Sequence, residues 1–592
     1  MSDNPVRDLI EVAAGRKPAD LVLKNARIVN VASHEIHDGD VAIHAGRFAG
    51  IGRYDGNRTL DLKGRHIAPG FIDAHVHIES SMLAPPEFSR VVAARGTVAV
   101  IADPHEFANV MGAAGIDYVL KTSVDVPIRV FVMLSSCVPA SPLESAVAVL
   151  TADDLRPFLN DPRVLGLAEM MNYPGVIHGD AGVLDKLAMC NGRVIDGHAP
   201  SVTGNDLNAY AASGIMSDHE CIRAEEAAEK LRAGLSIMIR EGSQTRNLKA
   251  LLPLITAANA DRFMFCTDDK DVRDLLDEGH IDYMIRTAIA GGVEPLLAYR
   301  IATWNTARYF RLPQSGAILP GYRADFVVLD DLKQCKVAQT YVGGRLIAEN
   351  GETSVLGNPQ EAAVSIESRE VADLDARARE SVHIKPLSLA DIEIRLTSGA
   401  TRGQPPRVHI IEVLDNRIDT ERSVESATMQ NDQLVADPAR DLAKMIVVER
   451  HRASGEIGRG FARGFKLKAG AIGSTVAHDA HNLIAVGTND ADILAALNHL
   501  AKIKGGWVVV KDGRVLADVP LPLAGLVTDA PAAATANQLR ELSDAARSLG
   551  CEFAQPFMCL AFLSLSVIGK LKLTNQGLID VERFERIELI CW

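Results

Sequence analysis

Two imidazoles one residue apart, His75 and His77, end an apolar run that begins at Phe71. In an extended strand residues i and i+2 face the same side, so both rings can aim at one point. Neutral imidazole is the commonest protein ligand for transition metals, and two rings held on one face lose little entropy when they chelate an ion. A His-x-His pair also arises as chance polarity at a strand end, so the other ionisable groups of the chain decide its meaning. Asp103 and His105, Glu169, His198, His219, Glu241 and Asp268 all stand at or just beyond the ends of short apolar runs. Nitrogen and oxygen donors without thiolate suit Zn²⁺, Mn²⁺ or Fe²⁺.

Something must bring residues nearly 200 positions apart to one place. From residue 71 to about 310, short apolar strands alternate with helix-like segments. The strands are expected at 71–77, Val98–Asp103, Arg129–Ser135, Val164–Glu169, Arg193–His198, Gly214–His219, Ser236–Glu241 and Arg262–Asp268. Eight strand-helix units over about 240 residues match a (β/α)8 TIM barrel, whose chemistry lies at the C-terminal strand ends. Strand-and-turn segments flank this region on both sides, as at Asp20–Val31 and Gly316–Leu329. The economical α/β architecture is a barrel (67–312) inserted in a small β-sandwich built from 1–66 and 313–360. A C-terminal α/β domain follows over 361–592, with a helix at Ala491–Lys504 and a buried strand or helix at Leu560–Val567.

If the strand ends converge, His75, His77, Glu169, His198, His219 and Asp268 enclose a pair of divalent ions. Two dications about 3.5–4 Å apart need an anion between them, and the carboxylate of Glu169 has two oxygens with which to bridge. A shared water would lose a proton near neutral pH and become a nucleophile, with Asp268 accepting that proton and returning it to a leaving group. Asp103 and His105 can orient ligands or water behind the first set. In the last domain, His478-Asp479-Ala480-His481 is open to three readings: a second metal site, a hydrogen-bonded loop, or a lid over the barrel mouth.

Composition excludes several classes. With 62 Lys+Arg against 76 Asp+Glu the net charge is −14, and there is no basic footprint for nucleic acid or an anionic membrane. The eight cysteines form no Cys-x-x-Cys pair, which fits a reducing compartment. No apolar run reaches the roughly 18 residues of a membrane span, and Met1–Asp8 has no apolar h-region, so a cytoplasmic protein is expected.

Pro69-Gly70-Phe71-Ile72-Asp73-Ala74-His75-Val76-His77, with Glu169, His198, His219 and Asp268, resembles the amidohydrolase superfamily. Many members bridge their metals with a carbamylated lysine. No lysine lies near the end of strand four here, and Glu169 takes that place, which counts against dihydroorotase- or hydantoinase-like members. A narrower resemblance, over nearly the whole chain, is to the bacterial adenine deaminases. It is carried by His77-Ile78-Glu79-Ser80-Ser81-Met82, Ala102-Asp103-Pro104-His105-Glu106, Arg240-Glu241-Gly242-Ser243 and Cys266-Thr267-Asp268-Asp269. In the last domain, Val476–Asn482, Pro520–Gly525 and Lys572–Leu578 carry it further.

That resemblance implies hydrolytic deamination of adenine to hypoxanthine and ammonia, two metal ions (Mn²⁺ or Fe²⁺) and a homo-oligomer, dimer or larger. Addition of hydroxide to the ring requires a ring nitrogen to take up a proton, and Glu106 and Glu241 are the candidate acids. Ser243, His478 and His481 are expected near the substrate or behind the ligands. The competing activities are deacetylation of an N-acetyl amino sugar, which can also use a bridging glutamate, and a non-catalytic scaffold.

Overall fold

The computed structural model describes residues 4–353, 366–396, 405–415 and 417–591; the expected boundary between 360 and 361 lies outside them. The eight barrel strands are β1 Phe71–Val76, β2 Thr97–Ala102, β3 Arg129–Leu134, β4 Val164–Met170, β5 Val194–Gly197, β6 Ser217–Asp218, β7 Ser236–Arg240 and β8 Phe263–Cys266. Strands β1 to β5 pair in parallel in one sheet, and β6 to β8 in another. Backbone hydrogen bonds close both seams. Asp268 N–H donates to His75 O (3.0 Å), His77 N–H donates to Asp268 O (3.2 Å), and Met216 N–H donates to Ile195 O (2.9 Å). The seam between β8 and β1 thus makes Asp268 a neighbour of both histidines.

Small and flexible side chains, Ile72, Ala74, Ala99, Ile101, Met133, Ala168, Met238 and Met264, fill the barrel. Ile72 and Ala74 share that interior, yet His75 and His77 also aim into the mouth. The change of parity comes from a register shift against β2 between Asp73 and Val76, after which Val76 packs outward beside Val100 and Ala102. Irregularities of this kind re-aim side chains next to active sites.

The flanking strands form one nine-stranded sheet drawn from both sides of the barrel. Its halves meet where His66–Pro69 pairs antiparallel with Phe326–Asp331, Val327 standing opposite Ala68. The first of these strands runs through Gly70 directly into β1. A Cβ at Gly70 would come within 2.3 Å of Val98 Cγ1, so glycine is required at that junction.

Beyond residue 405 a second nine-stranded sheet, with Ile457–Arg463, Ala443–Val448 and Leu483–Gly487 near its middle, carries the helix Asp490–Lys502. Ile493, Ala496, Leu497 and Leu500 recur at helical spacing and bury against Val508 and Val510, with Asn489 capping the N-terminus. The expected apolar segment near 560 is helical: Pro556–Ala561 followed by the 3-10 turn Phe562–Ser564.

This unit shares a core with the barrel. Leu83 and Phe88 belong to the same buried cluster as Trp507, Leu523 and Phe557. Backbone bonds tie Ala84 N–H to Thr528 O and Thr528 N–H to Met82 O, both at 2.9 Å. The loop after β3 is held as well, by Thr574 Oγ1 donating to Leu143 O (2.6 Å) and Asn482 Nδ2 to Ser145 O (3.0 Å). Among the described residues no helix is long and apolar enough to cross a membrane.

The barrel's tightest backbone approach offers a test. A Cβ at Gly166 would sit 1.9 Å from Val194 O, backbone against backbone between β4 and β5. Gly166→Ala is expected to destabilise the protein by about 2–4 kcal/mol and lower its Tm by several degrees in a thermal melt. An unchanged Tm would contradict this β4–β5 approach.

Candidate metal centre and active site

The six expected ligands converge. His75 Nε2 and His77 Nε2 lie 3.2 Å apart, and His77 Nε2 is 3.1 Å from Asp268 Oδ1 and 3.2 Å from Glu169 Oε1. On the other side Glu169 Oε2 is 2.7 Å from His198 Nδ1 and 3.2 Å from His219 Nε2. One oxygen of Glu169 thus faces the first histidine pair and the other faces the second, the disposition a bridging carboxylate needs. All six residues are buried.

The donors fit divalent ions. His77 Nδ1 is 3.1 Å from Asp103 O, where it donates its proton, leaving the Nε2 lone pair free and directed at His75. Ring nitrogens that face each other in a buried space need a cation or a proton between them. His198 Nε2 is buried without a hydrogen-bond partner among the described residues. Burial works against ionisation of Glu169, but His198, His219 and His77 hold its carboxyl well below the usual range. Asp268 is likewise held well below it, against burial, by Arg240 and by His75 and His77. Asp268 has φ 57°, a left-handed conformation that aspartate tolerates better than most residues, fixed here by the two seam hydrogen bonds.

Asp103 and His105 stand behind this set. His105 Nδ1 is 3.2 Å from Asp103 Oδ2 and 3.5 Å from Glu169 Oε1, while Ser135 Oγ donates to Asp103 Oδ1 at 2.7 Å. Glu106 lies deeper, next to Glu79. Ser80 Oγ contacts Glu106 Oε1 at 3.0 Å and Asp269 Oδ1 at 2.5 Å. Burial and the charges of Glu79 and Asp269 push the Glu106 carboxyl well above its ordinary range.

Two expected residues fall elsewhere. Glu241 does not line the cavity; its Oε2 accepts the N–H of Leu248 at 3.0 Å, at the head of the short helix Leu248–Leu251. The pleat explains this correction. Met238 faces the barrel interior, so Arg240 shares its side and Glu241 does not. Ser243 is also a loop brace, donating to Asp274 Oδ2 (2.6 Å) and accepting the N–H of Asp271 (2.9 Å).

His478 and His481 reach the site from the C-terminal unit and come within metal-binding distance of Glu106. The hydrogen bonding excludes His481 as a ligand there. Ala477 N–H donates to His481 Nδ1 at 3.2 Å, so the neutral ring carries its proton on Nε2, which lies 3.5 Å from Glu106 Oε2. His478 stacks on Phe562, with centroids 4.4 Å apart and an interplanar angle of 15°. Together with Ile418, Leu565 and Ile568 these residues line the cavity above the histidines, so the C-terminal unit supplies one wall of the site.

Sequence reasoning gave no role to Arg240, Glu220 or Asp269, and weighed Asp479 only as part of the His478–His481 segment. Arg240 Nη1 donates to Asp268 Oδ2 at 2.8 Å, and its guanidinium forks onto Glu220, with Nη2 3.0 Å from Oε2. The same pleat that removes Glu241 would have pointed to Arg240. Glu220 directly follows a histidine ligand candidate, but nothing in its local sequence signals its partner on β7.

Residues 66–347 match the amidohydrolase family, and 417–585 match the adenine deaminase C-terminal domain. The chain is 45% identical to adenine deaminase 2 of Carboxydothermus hydrogenoformans, over 98% of each chain. It is 47% identical to an adenine deaminase of Dehalococcoides mccartyi and 44% identical to one of Geobacillus kaustophilus, each again over 98% of both chains. Among solved structures, an L-hydantoinase from Arthrobacter aurescens aligns at a TM-score of 0.43 and 16% identity, over 57% of this chain and 98% of that one.

Arg240 is the cation between two buried carboxylates, and its removal has a defined pH signature. Arg240→Met should cost about 3–5 kcal/mol of stability near neutral pH, because a buried charge loses its partner. Asp268 has a depressed folded pKa, so its contribution is present above the unfolded value and lost as pH falls through the folded one. The Tm gap between wild type and variant is therefore expected to stay wide from neutral pH down to the ordinary aspartate range and to narrow only as pH falls below about 4. A gap that widens in acid would contradict the ion-pair assignment.

Proposed function

The chain belongs to the adenine deaminase family of amidohydrolases, and from that premise we propose that it hydrolyses adenine to hypoxanthine and ammonia, a step of purine salvage. The observation that carries the mechanism is Glu169, with one oxygen toward His75 and His77 and the other toward His198 and His219. His75, His77, Glu169, His198, His219 and Asp268 would hold two divalent ions, Mn²⁺ or Fe²⁺. When bound, such ions lower the pKa of a water so that a nucleophile is available near neutral pH.

The remaining work falls to the chain's own groups. Water adds to C6 of the ring, and the Asp268 carboxylate takes its proton. The same carboxylate then gives that proton to the departing amine as the C6–N bond breaks, and the C6 hydroxyl becomes the product carbonyl by releasing its proton, which restores the acid that protonates the ring. Arg240, bonded to Asp268 Oδ2, keeps that oxygen oriented and the carboxyl ionised at the outset. Ring addition also needs a proton on a ring nitrogen. Of the two expected acids, Glu106 has the fitting placement: Ser80 Oγ links it to Asp269, which lines the cavity, and burial raises its carboxyl well above the ordinary range. Met171, Ile418, Phe562, Leu565 and Ile568 provide apolar surface for a flat base and keep bulk water from the reacting carbon.

Acetyl-sugar deacetylation and a non-catalytic scaffold give way to this reading, because the relatives matched end to end are named adenine deaminases and the ligand set is complete. A cytoplasmic homo-oligomer, dimer or larger, with no nucleic-acid partner completes the proposal; the acidic net charge of −14 supports its last part.

Six donor side chains exceed the needs of one tetrahedral ion with an open position, so protein saturated with Mn²⁺ or Fe²⁺ should carry close to two metals per chain by elemental analysis. A maximum of one in active protein would overturn the pair. Ammonia release from adenine tests the activity directly. Asp268→Asn keeps one oxygen donor and the side-chain shape, and is expected to retain metal while kcat falls roughly 10²–10⁴-fold. Near-native turnover in metal-replete Asp268→Asn enzyme would remove Asp268 from the proton transfers.

A further inference from the structure

Asp479 is a buried acceptor that no step above uses. It lines the cavity and is 2% exposed, yet its Oδ2 has no hydrogen-bond partner among the described residues. Its Oδ1 lies 3.8 Å from both His105 Nε2 and His478 Nδ1, beyond hydrogen-bonding distance. It belongs to none of the residue groups spaced to hold a metal ion. A carboxylate oxygen taken out of water without a donor is costly, and such a group in a cavity wall is suited to a ligand that brings an N–H.

The loop holds the carboxylate in place. His478 N–H donates to Ala561 O (2.9 Å), His481 N–H to Ala477 O (2.7 Å), and the His451 Nε2–H to Ala480 O (2.8 Å). Stacking of His478 on Phe562 fixes the residue before it. Relative to the reacting centre, the ring of His105 stands between Asp479 and Glu169: Nδ1 is 3.5 Å from Glu169 Oε1 and Nε2 faces Asp479. Glu169, Asp268 and Asp479 line one cavity, so a flat bicyclic base with its amino-bearing carbon at the first two would present its far edge to Asp479 past the His105 ring. In an unsubstituted purine that edge is the five-membered ring, which carries one N–H, at N9 or N7 by tautomer.

Building on the proposed adenine reading, we propose that Asp479 is a specificity-determining residue whose carboxylate accepts the five-ring N–H of the free base. N-substituted purines, nucleosides among them, lack that proton, leave the carboxylate buried without a donor and place a substituent against it. A site built to bond a particular N–H rejects analogues without it far better than an apolar pocket rejects extra bulk.

The test is calorimetric titration of metal-loaded protein with purine, 7-methylpurine and 9-methylpurine, none of which has an amine to lose. Wild type is expected to bind purine at least tenfold more tightly than one or both methylated rings. In Asp479→Ala, purine affinity should fall about 10–100-fold, the value of a hydrogen bond to a charged group, while the disfavoured methylpurine changes less than threefold. Loss of the preference is the signature, since a structural role would weaken all three ligands alike.

The proposal is overturned if wild type shows no preference for purine over either methylpurine, if Asp479→Ala binds purine within threefold of wild type, or if the variant loses all three ligands equally. Should Asp479→Ala fail to hold metal, Asp479→Asn preserves the shape and is expected to lose purine affinity selectively by a smaller factor; undiminished purine binding overturns the proposal there too. Failure of the adenine reading shows separately, as absence of ammonia release from adenine by the same wild-type preparation.

Discussion

Six buried donor groups crowd one space at the barrel mouth, and the protein tolerates them because carboxylates there alternate with imidazoles and with the Arg240 guanidinium. Glu169 lies between two histidine pairs, and Asp268 touches the first pair on one side and Arg240 on the other. Four imidazoles alone would repel a shared cation's worth of protons, and two carboxylates alone could not both stay ionised out of water. The alternation keeps the carboxylates anionic and the nitrogen lone pairs directed inward. It also explains why the neighbouring polar residues are so thoroughly committed: Asp103 to His105 and Ser135, Glu220 to Arg240, and Lys230 to Asp218 and Glu226.

That concentration of charge can exist only where water is kept out, and the barrel by itself does not close its own mouth. The C-terminal unit does so with a loop, Val476–Asn482, and a helical turn, Phe562–Ser564, that come down over the histidines. Lys572 helps to set this wall. Its buried amine donates to the carbonyls of Ile418 and Phe562, both at 2.8 Å, so one side chain ties together two segments that line the cavity. Burial pushes that amine down to about 7, which leaves it able to donate without carrying a full charge into the core. The unit therefore lines the candidate site and is continuous with the barrel's core.

The strand-helix alternation made the barrel legible, because apolar strands buried on both sides appear as short runs separated by polar turns. The ligand candidates were legible for the same reason: chemistry at a barrel mouth collects ionisable residues at strand ends, and His75, His77, Glu169, His198, His219 and Asp268 each occupy one. The helix Asp490–Lys502 announced itself through its 3.6-residue period. The flanking strands were individually readable too, although their fusion into one sheet depends on the pairing of His66–Pro69 with Phe326–Asp331, more than 250 residues apart.

What the sequence determined by itself is the inventory: which side chains can bind metal or move protons, and which periodicities fold them into a barrel and a second sheet. Only the tertiary structure decided how those groups are paired. The register shift in β1 turned the histidines inward, and the pleat of β7 gave the mouth Arg240 instead of Glu241. Closure of β8 on β1 set Asp268 beside His75. The packing of two units carried Asp479 to the cavity. Each of these outcomes depends on contacts between segments distant in the chain. A one-residue change of register or face exchanges one functional group for its neighbour while leaving the local pattern of polar and apolar residues unchanged.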